Sequence, residues 1–442
     1  MTDVLKTPAA WPRLLLGRAD AADPTDLDAA VKAGAFEGLR IAVRLAPAGV
    51  VAEIRSAGLR GRGGAGFPAA DKWQLAAATP ADRRYVVANG YGADPAARTD
   101  PVLLERDPYA VIEGLAIAAW AIGADTAYIA VRATETEAIR RLEAALGAAE
   151  EAGFIGADVL GTGHELSVEL RPVEGAYMLG EETVLLKALE GRRGQPEQRP
   201  PYPAERGLFG RPTVVQNVQT LALAAWIMHE GAAAFRATGS PDAPGTILVH
   251  VRAAGGAGVA EVPLGTTLRT ILGLAGATTR TGPVPRGLLV GGPSGGILPA
   301  DHLDLPYAFD ELRAAGAHVG SGSVVATGPD ADVLELAELL TRFCSAEACG
   351  KTIPCRIGTR RLEEIAARIN AGTPRPTDAD LLADLSADIV ASGLCDHERL
   401  ATLPLASVMR YFRPDLDAKL QPVAEPAAGR QRIAVADGGP AH

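Results

Sequence analysis

The pattern of apolar and polar residues predicts helices and strands that alternate through the first half of the chain. Apolar residues at helical spacing predict helices over residues 47–57 and 109–122. Short continuous apolar runs predict buried strands over residues 84–89, 127–131 and 166–170. This alternation is typical of α/β domains, in which ligands collect at the carboxyl ends of the strands.

Polar residues indicate where two further helices begin. Thr134 and Glu137 have the spacing of a capping box for a helix that reaches about residue 151. Glu181 and Glu182 follow the run GAYMLG and precede a helical segment that ends near Glu190. Acidic residues complement the dipole at a helix start, so this pair alone requires no ligand.

The pattern changes after about residue 245. Residues 247–251 predict a strand, and glycine-rich turns with short apolar runs follow as far as Leu298. His250 lies inside the strand, where we expect a hydrogen-bonded core histidine rather than a ligand. The first 40 residues, rich in Ala, Asp and Pro, predict an extended lead-in. Residues 421–442 predict a disordered tail.

Residues 332–416 predict a helical region with two apolar faces. One face combines Leu334, Leu336, Leu339, Leu340 and Phe343, and the other combines Leu362, Ile365 and Ile369.

Composition describes an ordinary globular protein of two or three domains. The 442 residues are 48% hydrophobic and 22% charged. A formal net charge of −10 with only 5% aromatic residues argues against nucleic acid or an anionic membrane surface as the main partner. No apolar run approaches the ~20 residues of a membrane-spanning helix, and residues 1–12 lack a signal-peptide core. We therefore expect a cytoplasmic protein.

The run GRGGAGFP at residues 61–68, followed by Lys72 and Trp73, is the first candidate for chemistry. Glycines contribute little to a core, but they let backbone N–H groups approach a phosphate closely. Lys72 adds a mobile positive charge for the same anion, and Phe67 and Trp73 add flat apolar faces. A flexible surface loop is the alternative for such a run on its own.

Four cysteines form the second candidate. In a reducing compartment, three thiols within twelve positions indicate a metal rather than disulfides. Cys349 and Cys355 flank the run GKTIP, and Cys395 follows in a later loop. For Cys344 we expect a buried, apolar role on a helix face.

The order of these motifs resembles one family, the NADH-binding flavoprotein subunit (51 kDa type) of respiratory complex I. Its relatives include NAD-dependent formate dehydrogenase beta subunits and NAD-reducing hydrogenase diaphorase subunits. The matching runs are GLRGRGGAGFP at 58–68, GAYMLGEET at 175–183, RPPYP at 199–203 and GLFGRPTVVQNV at 207–218. The resemblance implies an α/β FMN- and NADH-binding domain (41–240), a small ubiquitin-like β-grasp domain (241–328) and a helical iron–sulfur domain (329–420).

The resemblance also implies roles for individual residues. FMN would be held by Gly61, Gly63, Gly64, Lys72, Asn89, Tyr177, Gly180, Glu181 and Asn217. The nucleotide cleft would be lined by Phe67, Asp94, Glu182, Arg199 and Tyr202. A [4Fe–4S] cluster would be held by Cys349, Cys355 and Cys395. The charges of Glu182 and Asp94 would disfavour a 2′-phosphate, which predicts NADH rather than NADPH.

The chain departs from the family pattern at several positions. Thr352 stands at the position of the family's middle cysteine. A non-cysteine or external fourth ligand, a three-iron species and the absence of a cluster therefore all stay open. Tyr91 and Gly92 replace two acids, Leu75 replaces an aromatic residue, and Gln216 replaces the first of two asparagines.

Three functions are compatible with this sequence. The first is a subunit that moves a hydride between NAD(H) and FMN, and single electrons to or from an iron–sulfur relay in a complex I-like or formate dehydrogenase-like complex. It implies partner subunits, among them a thioredoxin-like [2Fe–2S] subunit, and no membrane insertion. The second is a stand-alone FMN diaphorase without a cluster, and the third is a non-catalytic assembly subunit. The intact glycines and paired glutamates disfavour the third.

Overall fold

The computed structural model describes residues 2–21, 23–277 and 284–421. The predicted tail therefore lies outside the described residues, except for Gln421. The helices are α1 (Leu27–Lys32), α2 (Glu37–Ala42), α3 (Pro47–Ala57), α4 (Ala69–Ala78), α5 (Thr99–Arg106), α6 (Pro108–Ile122), α7 (Thr136–Glu151), α8 (Glu182–Leu189), α9 (Pro203–Arg206), α10 (Val218–Glu230), α11 (Ala232–Arg236), α12 (Leu268–Leu274), α13 (Phe309–Ala314), α14 (Val333–Ala346), α15 (Thr359–Asn370), α16 (Asp378–Ser392), α17 (Asp396–Leu400), α18 (Leu403–Tyr411) and α19 (Arg413–Leu420).

The strands form two main sheets. They are β1 (Tyr85–Gly90), β2 (Thr126–Arg132), β3 (Ser167–Val173), β4 (Thr213–Asn217), β5 (Gly239–Ser240), β6 (Ala243–Pro244), β7 (Thr246–Ala253), β8 (Gly256–Pro263), β9 (Leu288–Val290), β10 (Gly296–Leu298) and β11 (Ser323–Ala326). The first sheet has the order β3-β2-β1-β4 and is parallel throughout. The second has the order β10-β9-β11-β7-β8.

The central strand of the first sheet is buried on both faces. Val86 and Ala88 of β1 belong to a core that also contains residues of α6 and α10. Tyr85 and Val87 belong to a second core on the opposite face, with residues of α8. Successive side chains of a strand point to opposite faces, and burial of both faces explains why β1 has a continuous apolar pattern.

The predicted α/β elements are confirmed, and their boundaries agree within three residues. The helix predicted over residues 47–57 is α3, and the predicted strands are β1, β2 and β3. The predicted capping box was wrong. Helix α7 begins at Thr136 after Glu135, without a side-chain cap. The Glu137 carboxylate instead accepts hydrogen bonds from Arg140 and Arg141 within the same helix.

The predicted extended lead-in was also wrong, because residues 2–40 contain α1 and most of α2 and pack onto the rest of the chain. Leu14, Leu15 and Leu16 are buried, and their N–H groups donate to the Glu261 carboxylate of β8 at 2.7–2.9 Å. This carboxylate is a buried acceptor, and it ties the lead-in to the second sheet. A composition rich in Ala and Asp gave no sign of that distant partner.

The second sheet is mixed and packs against α12 and α13. β7 pairs antiparallel with β8 and parallel with β11, and β9 pairs antiparallel with β11. His250 on β7 is buried, and its Nδ1 accepts a hydrogen bond from the Arg98 N–H at 3.2 Å. The prediction of a hydrogen-bonded core histidine is confirmed.

The third region, residues 332–416, is helical, as predicted. Leu334, Leu340, Leu362, Ile365 and Ile369 share one core. Leu339, predicted to lie on the same face, is 50% exposed, because the helix turns it away from the core. Within the described ranges, no helix combines the length and apolar character that crossing a membrane requires.

Candidate functional site

The glycine run forms a closed loop between α3 and α4. Gly58 ends α3 in the left-handed conformation, with a φ of 67°. The Gly61 N–H donates to the Phe67 carbonyl at 2.9 Å, which closes the loop on itself. Gly64 has a φ of +111°, and a Cβ there would lie 3.1 Å from the Gly320 carbonyl oxygen. Glycine is therefore required at position 64 by the fold itself.

Arg62 anchors this loop from beneath and is one of two residues of the site that sequence reasoning missed. Its side chain is fully buried and donates to the carbonyl groups of Arg60, Pro244 and Thr246 at 2.6–2.9 Å. Burial, reinforced by the neighbouring charge of Arg60, lowers the pKa of Arg62 to about 9. An arginine between glycines suggests a surface charge, and two of its three acceptors lie 184 and 182 residues away in the chain.

Two asparagines meet at the carboxyl edge of the first sheet. Asn89 of β1 and Asn217, the last residue of β4, form the last residue pair between these two strands. The Asn89 amide donates to the Gly180 carbonyl at 3.3 Å. Asn217 caps α10, and its amide donates to Asp100 at 2.8 Å. A Cβ on Gly63 would lie 3.5 Å from the Asn217 Cβ, so the glycine loop lies beside the same edge.

The paired glutamates form an ionic network with Lys72 and Arg199. Lys72 Nζ lies 2.8 Å from Glu182 Oε2 and donates to the Val215 carbonyl of β4 at 3.1 Å. Arg199 donates to Glu182 at 3.0 Å and to Glu181 at 2.8 Å. Segments more than 100 residues apart thus place their charges at one position beside the glycine loop.

The two glutamates differ in their electrostatics. Burial raises the pKa of Glu181, whose Oε2 caps α8 by accepting from the N–H groups of Thr183 and Val184. Burial also opposes ionisation of Glu182, but the charges of Lys72 and Arg199 hold its pKa below the usual value. Glu182 thus has the lower pKa of the two, and Glu181 combines its ion pair to Arg199 with the cap of α8.

The remaining residues of the predicted nucleotide cleft fall into two groups. Phe67 and Tyr202 are 55% and 50% exposed, so their rings are available to a ligand. Asp94 is 2% exposed, and its carboxylate accepts a hydrogen bond from the Ser321 hydroxyl at 2.6 Å. Its charge thus faces the second sheet rather than an open cleft. Tyr91 donates to the Gly175 carbonyl at 2.6 Å and fills the position of a family acid with a buried ring.

Tyr177 connects the strand edge to the third region. Its ring lies 5.4 Å from Phe343 and 5.6 Å from His397, measured between ring centroids. Its hydroxyl lies 3.0 Å from the Ser294 hydroxyl, and its N–H donates to Glu347 at 2.7 Å. Burial raises the pKa of this phenol.

Two of the predicted cysteine ligands lie against the second core of the first sheet. Cys395 belongs to that core, and Cys349 packs against it. The neighbouring Cys355 thiol lowers the pKa of Cys349. Burial raises the pKa of Cys395 to about 11. Cys344 is fully buried, as predicted, and its thiol donates to the Pro293 carbonyl at 3.6 Å.

Two family models match this chain. The Nuo51 FMN-binding domain matches residues 54–225, and the NADH-ubiquinone oxidoreductase-F iron–sulfur binding region matches residues 335–419. The NADP-reducing hydrogenase subunit HndC of Solidesulfovibrio fructosivorans is 36% identical over 406 residues, which cover 92% of this chain and 83% of the relative. The chain belongs to the family of NADH-binding flavoprotein subunits.

Further relatives agree with this membership. An NADH-quinone oxidoreductase subunit of Streptomyces coelicolor is 38% identical over 383 residues, 86% of this chain and 85% of the relative. A crystal structure of an NAD+-reducing [NiFe]-hydrogenase in the H2-reduced state superposes with a TM-score of 0.82 and 31% identity. It covers 96% of this chain and 68% of that one. The flavoprotein subunit is thus part of an NADH-dependent oxidoreductase, with FMN, NAD(H) and an iron–sulfur cluster as cofactors.

The carboxyl edge of the first sheet, here called the strand edge, has a feature that suits the phosphate of FMN. Residues 62–65 form a tight turn, and within the described ranges no N–H group of residues 63–66 donates to another segment of the chain. Consecutive free N–H groups beside a lysine form a site for a phosphate. The glycine loop and Lys72 supply both.

The cysteines fit a cluster by the chemistry of their donors. No group of three or more His, Cys, Asp or Glu side chains in the described part of the chain is arranged to hold a single metal ion. A cluster is larger than one ion and is held by thiolates at separate iron atoms. Thiols from two segments of this protein lie against the same core, and the buried carboxylate of Glu398 accepts a hydrogen bond from the Cys395 N–H. Sequence reasoning did not find Glu398.

Proposed function

We propose that the strand edge binds FMN and NAD(H), and that the third region passes single electrons to a partner subunit. The pairing of Asn89 with Asn217 beside the glycine loop carries this proposal, because it joins the predicted FMN residues of separate segments in one place. When bound, FMN accepts a hydride pair and releases electrons singly, which links a nicotinamide to an iron–sulfur relay.

Each residue of the edge has a distinct part in this proposal. The N–H groups of residues 63–66 and the ammonium of Lys72 bind the phosphate. Asn89 and Asn217 have amide groups that can orient the flavin. Arg199 fixes Glu181 and Glu182 relative to each other through its two donated hydrogen bonds. No nucleophile or general base is needed.

For the nucleotide, we propose NADH rather than NADPH. The anionic Glu182 would repel a 2′-phosphate, and the exposed rings of Phe67 and Tyr202 can stack on the bases. Use of NADPH is the alternative. It is favoured by Asp94, because the buried hydrogen bond of Asp94 to Ser321 removes one of the two repelling charges from the cleft. The relative HndC is named as part of an NADP-reducing hydrogenase.

We further propose that residues 241–328 form a ubiquitin-like β-grasp domain. The mixed sheet with β7 paired antiparallel to β8 and parallel to β11, packed on α12, supports this. The partners are other subunits of a multi-subunit oxidoreductase, among them a thioredoxin-like [2Fe–2S] subunit. The location is cytoplasmic, with membrane association only through partners.

The deciding experiment is to purify the full chain anaerobically, extract its flavin and identify the flavin by chromatography. We expect FMN, and dye reduction that is faster with NADH than with NADPH. Lys72→Met should weaken flavin retention at least tenfold, since it removes a charge-assisted contact. The matched control is Lys419→Met, which removes an ion pair to Asp332 in the third region. Recovery of FAD, or no retention of flavin after reconstitution, would overturn the proposal.

A further inference from the structure

Thr352, at the position of the family's middle cysteine, contacts Glu398 from a distant segment of the chain. Thr352 stands at the family's cysteine position, and its hydroxyl donates a hydrogen bond to Oε1 of Glu398. Glu398 is 1% exposed and lies three residues after Cys395. The Cys355 N–H donates to the Thr352 hydroxyl at 3.2 Å, so this oxygen lies beside the second predicted ligand.

The backbone holds Glu398 from its other side. Oε2 accepts hydrogen bonds from the N–H groups of Leu394 at 2.5 Å and Cys395 at 3.3 Å. The carboxylate therefore caps the first turn of α17, which follows Cys395. Oε1 accepts only the Thr352 hydroxyl within the described ranges. A carboxylate oxygen can accept two bonds, so one lone pair of Oε1 remains for another partner.

In the described part of the chain Glu398 forms no ion pair, and the adjacent Arg399 lies 3.4 Å from Asp396 instead. The Cys395 N–H donates to the Glu398 carboxylate, and the Cys355 N–H donates to the Thr352 hydroxyl that Glu398 holds, so the carboxylate lies beside two of the predicted cysteine ligands. A buried carboxylate without a cationic partner is costly, and a bound metal ion would relieve that cost.

We infer that Glu398 is the fourth protein ligand of the iron–sulfur cluster, through a carboxylate oxygen, and that Thr352 positions it. The inference rests on the proposed function in so far as the third region carries a cluster. Three thiolates and one carboxylate supply the same total charge as four thiolates, whereas a neutral threonine would not. Thr352 keeps its proton and uses it in the hydrogen bond. Oxygen is a harder ligand than sulfur, so the iron bound by Glu398 is the one most readily lost.

His397 is the competing ligand. Its Nε2 bonds the Cys344 carbonyl at 3.0 Å, and its Nδ1 is buried without a partner among the described residues. The ring, however, packs beside Tyr177 at 5.6 Å, whereas Glu398 bonds both the Thr352 hydroxyl and the Cys395 N–H. His397→Gln therefore serves as the variant that separates the two ligands.

The experiment is anaerobic reconstitution of the full chain with ferrous iron and sulfide, followed by iron analysis and electron paramagnetic resonance of the oxidised protein. We expect about four irons per chain and no signal from the native chain, but about three irons and a three-iron signal from Glu398→Gln. The double variant Thr352→Cys with Glu398→Gln should return to about four irons, because a thiolate replaces the lost ligand. Asp396→Asn, an exposed acid on the same helix, is the matched control and should behave as the native chain does.

The outcomes separate this inference from the proposed function. A native-like cluster in Glu398→Gln would overturn the inference, and so would a three-iron signal confined to His397→Gln. If Glu398→Gln fails to fold, Thr352→Val decides the matter, since it removes only the hydroxyl and should at least double the rate of iron loss to a chelator. An unchanged rate contradicts the positioning role. A native chain that retains FMN but takes up no iron overturns the inference and leaves the flavin proposal intact.

Discussion

Two neighbouring glycines of the loop should respond in opposite ways to alanine substitution. A Cβ on Gly63 would meet the Asn217 Cβ at 3.5 Å, an ordinary contact, and Gly63 does not adopt a positive φ. Gly63→Ala should leave the free energy of unfolding unchanged or raise it by about 0.5 kcal/mol. A Cβ on Gly64 would meet the Gly320 carbonyl oxygen at 3.1 Å with a φ of +111°. Gly64→Ala should destabilise by about 2 kcal/mol from backbone strain.

Gly63→Ala should nevertheless weaken the binding of FMN. If the Gly63 N–H donates to the phosphate, a methyl group on that side displaces one charge-assisted hydrogen bond, worth about 1.5–3 kcal/mol. At about 1.4 kcal/mol per tenfold, the dissociation constant of FMN should rise about 10- to 150-fold. Gly63→Ala therefore weakens flavin binding at unchanged stability, while Gly64→Ala lowers both.

The assay is a pair of measurements on each full-length variant. Urea unfolding of the apoprotein gives stability, and quenching of FMN fluorescence on titration gives affinity. If Gly63→Ala binds FMN as tightly as the native chain, the loop does not contact the phosphate. If Gly63→Ala lowers both stability and FMN affinity, the added methyl group collides with the protein itself and not with the ligand.

Three further predictions concern charged residues of the site and its support. Glu182→Gln should narrow the preference for NADH over NADPH several-fold in dye reduction, and the exposed Glu230→Gln should not. Arg62→Met removes the donor of three buried carbonyl groups and should lower the free energy of unfolding by about 3 kcal/mol; a loss below about 1 kcal/mol would contradict its anchoring role. Burial raises the pKa of Glu113 from 4.5 to about 7, so stability present below pH 4.5 is lost as pH rises through 7. At about 1.4 kcal/mol per pH unit, the native chain should lose about 3 kcal/mol of its free energy of unfolding. Urea unfolding at about pH 5 and about pH 8 should show this loss in the native chain and not in Glu113→Gln.

The sequence predicted the elements that obey a local pattern. The helix over residues 47–57 and the three parallel strands carry their apolar periodicity within a few residues, so neighbours alone define them. The residues it missed are buried charges whose partners come from elsewhere. The acceptors of Arg62 lie in β6 and β7, and Glu398 meets Thr352 across 46 positions of the chain. Spacing within one segment carries no information about such pairs.

The same reasoning explains why the proposed flavin site depends on all three regions of the chain. The glycine loop touches Gly320, Asp94 bonds Ser321, and Tyr177 lies beside Ser294, so loops of the second sheet support residues predicted to bind cofactor. Tyr177 in turn bonds Glu347 of the third region. Contacts of this kind form only when the regions are packed together, so the geometry at the strand edge is a property of the whole assembly. The Tyr177 ring also packs beside His397, two residues after Cys395. Tyr177 thus contacts the second sheet and the third region at once, and the arrangement of the strand edge depends on both.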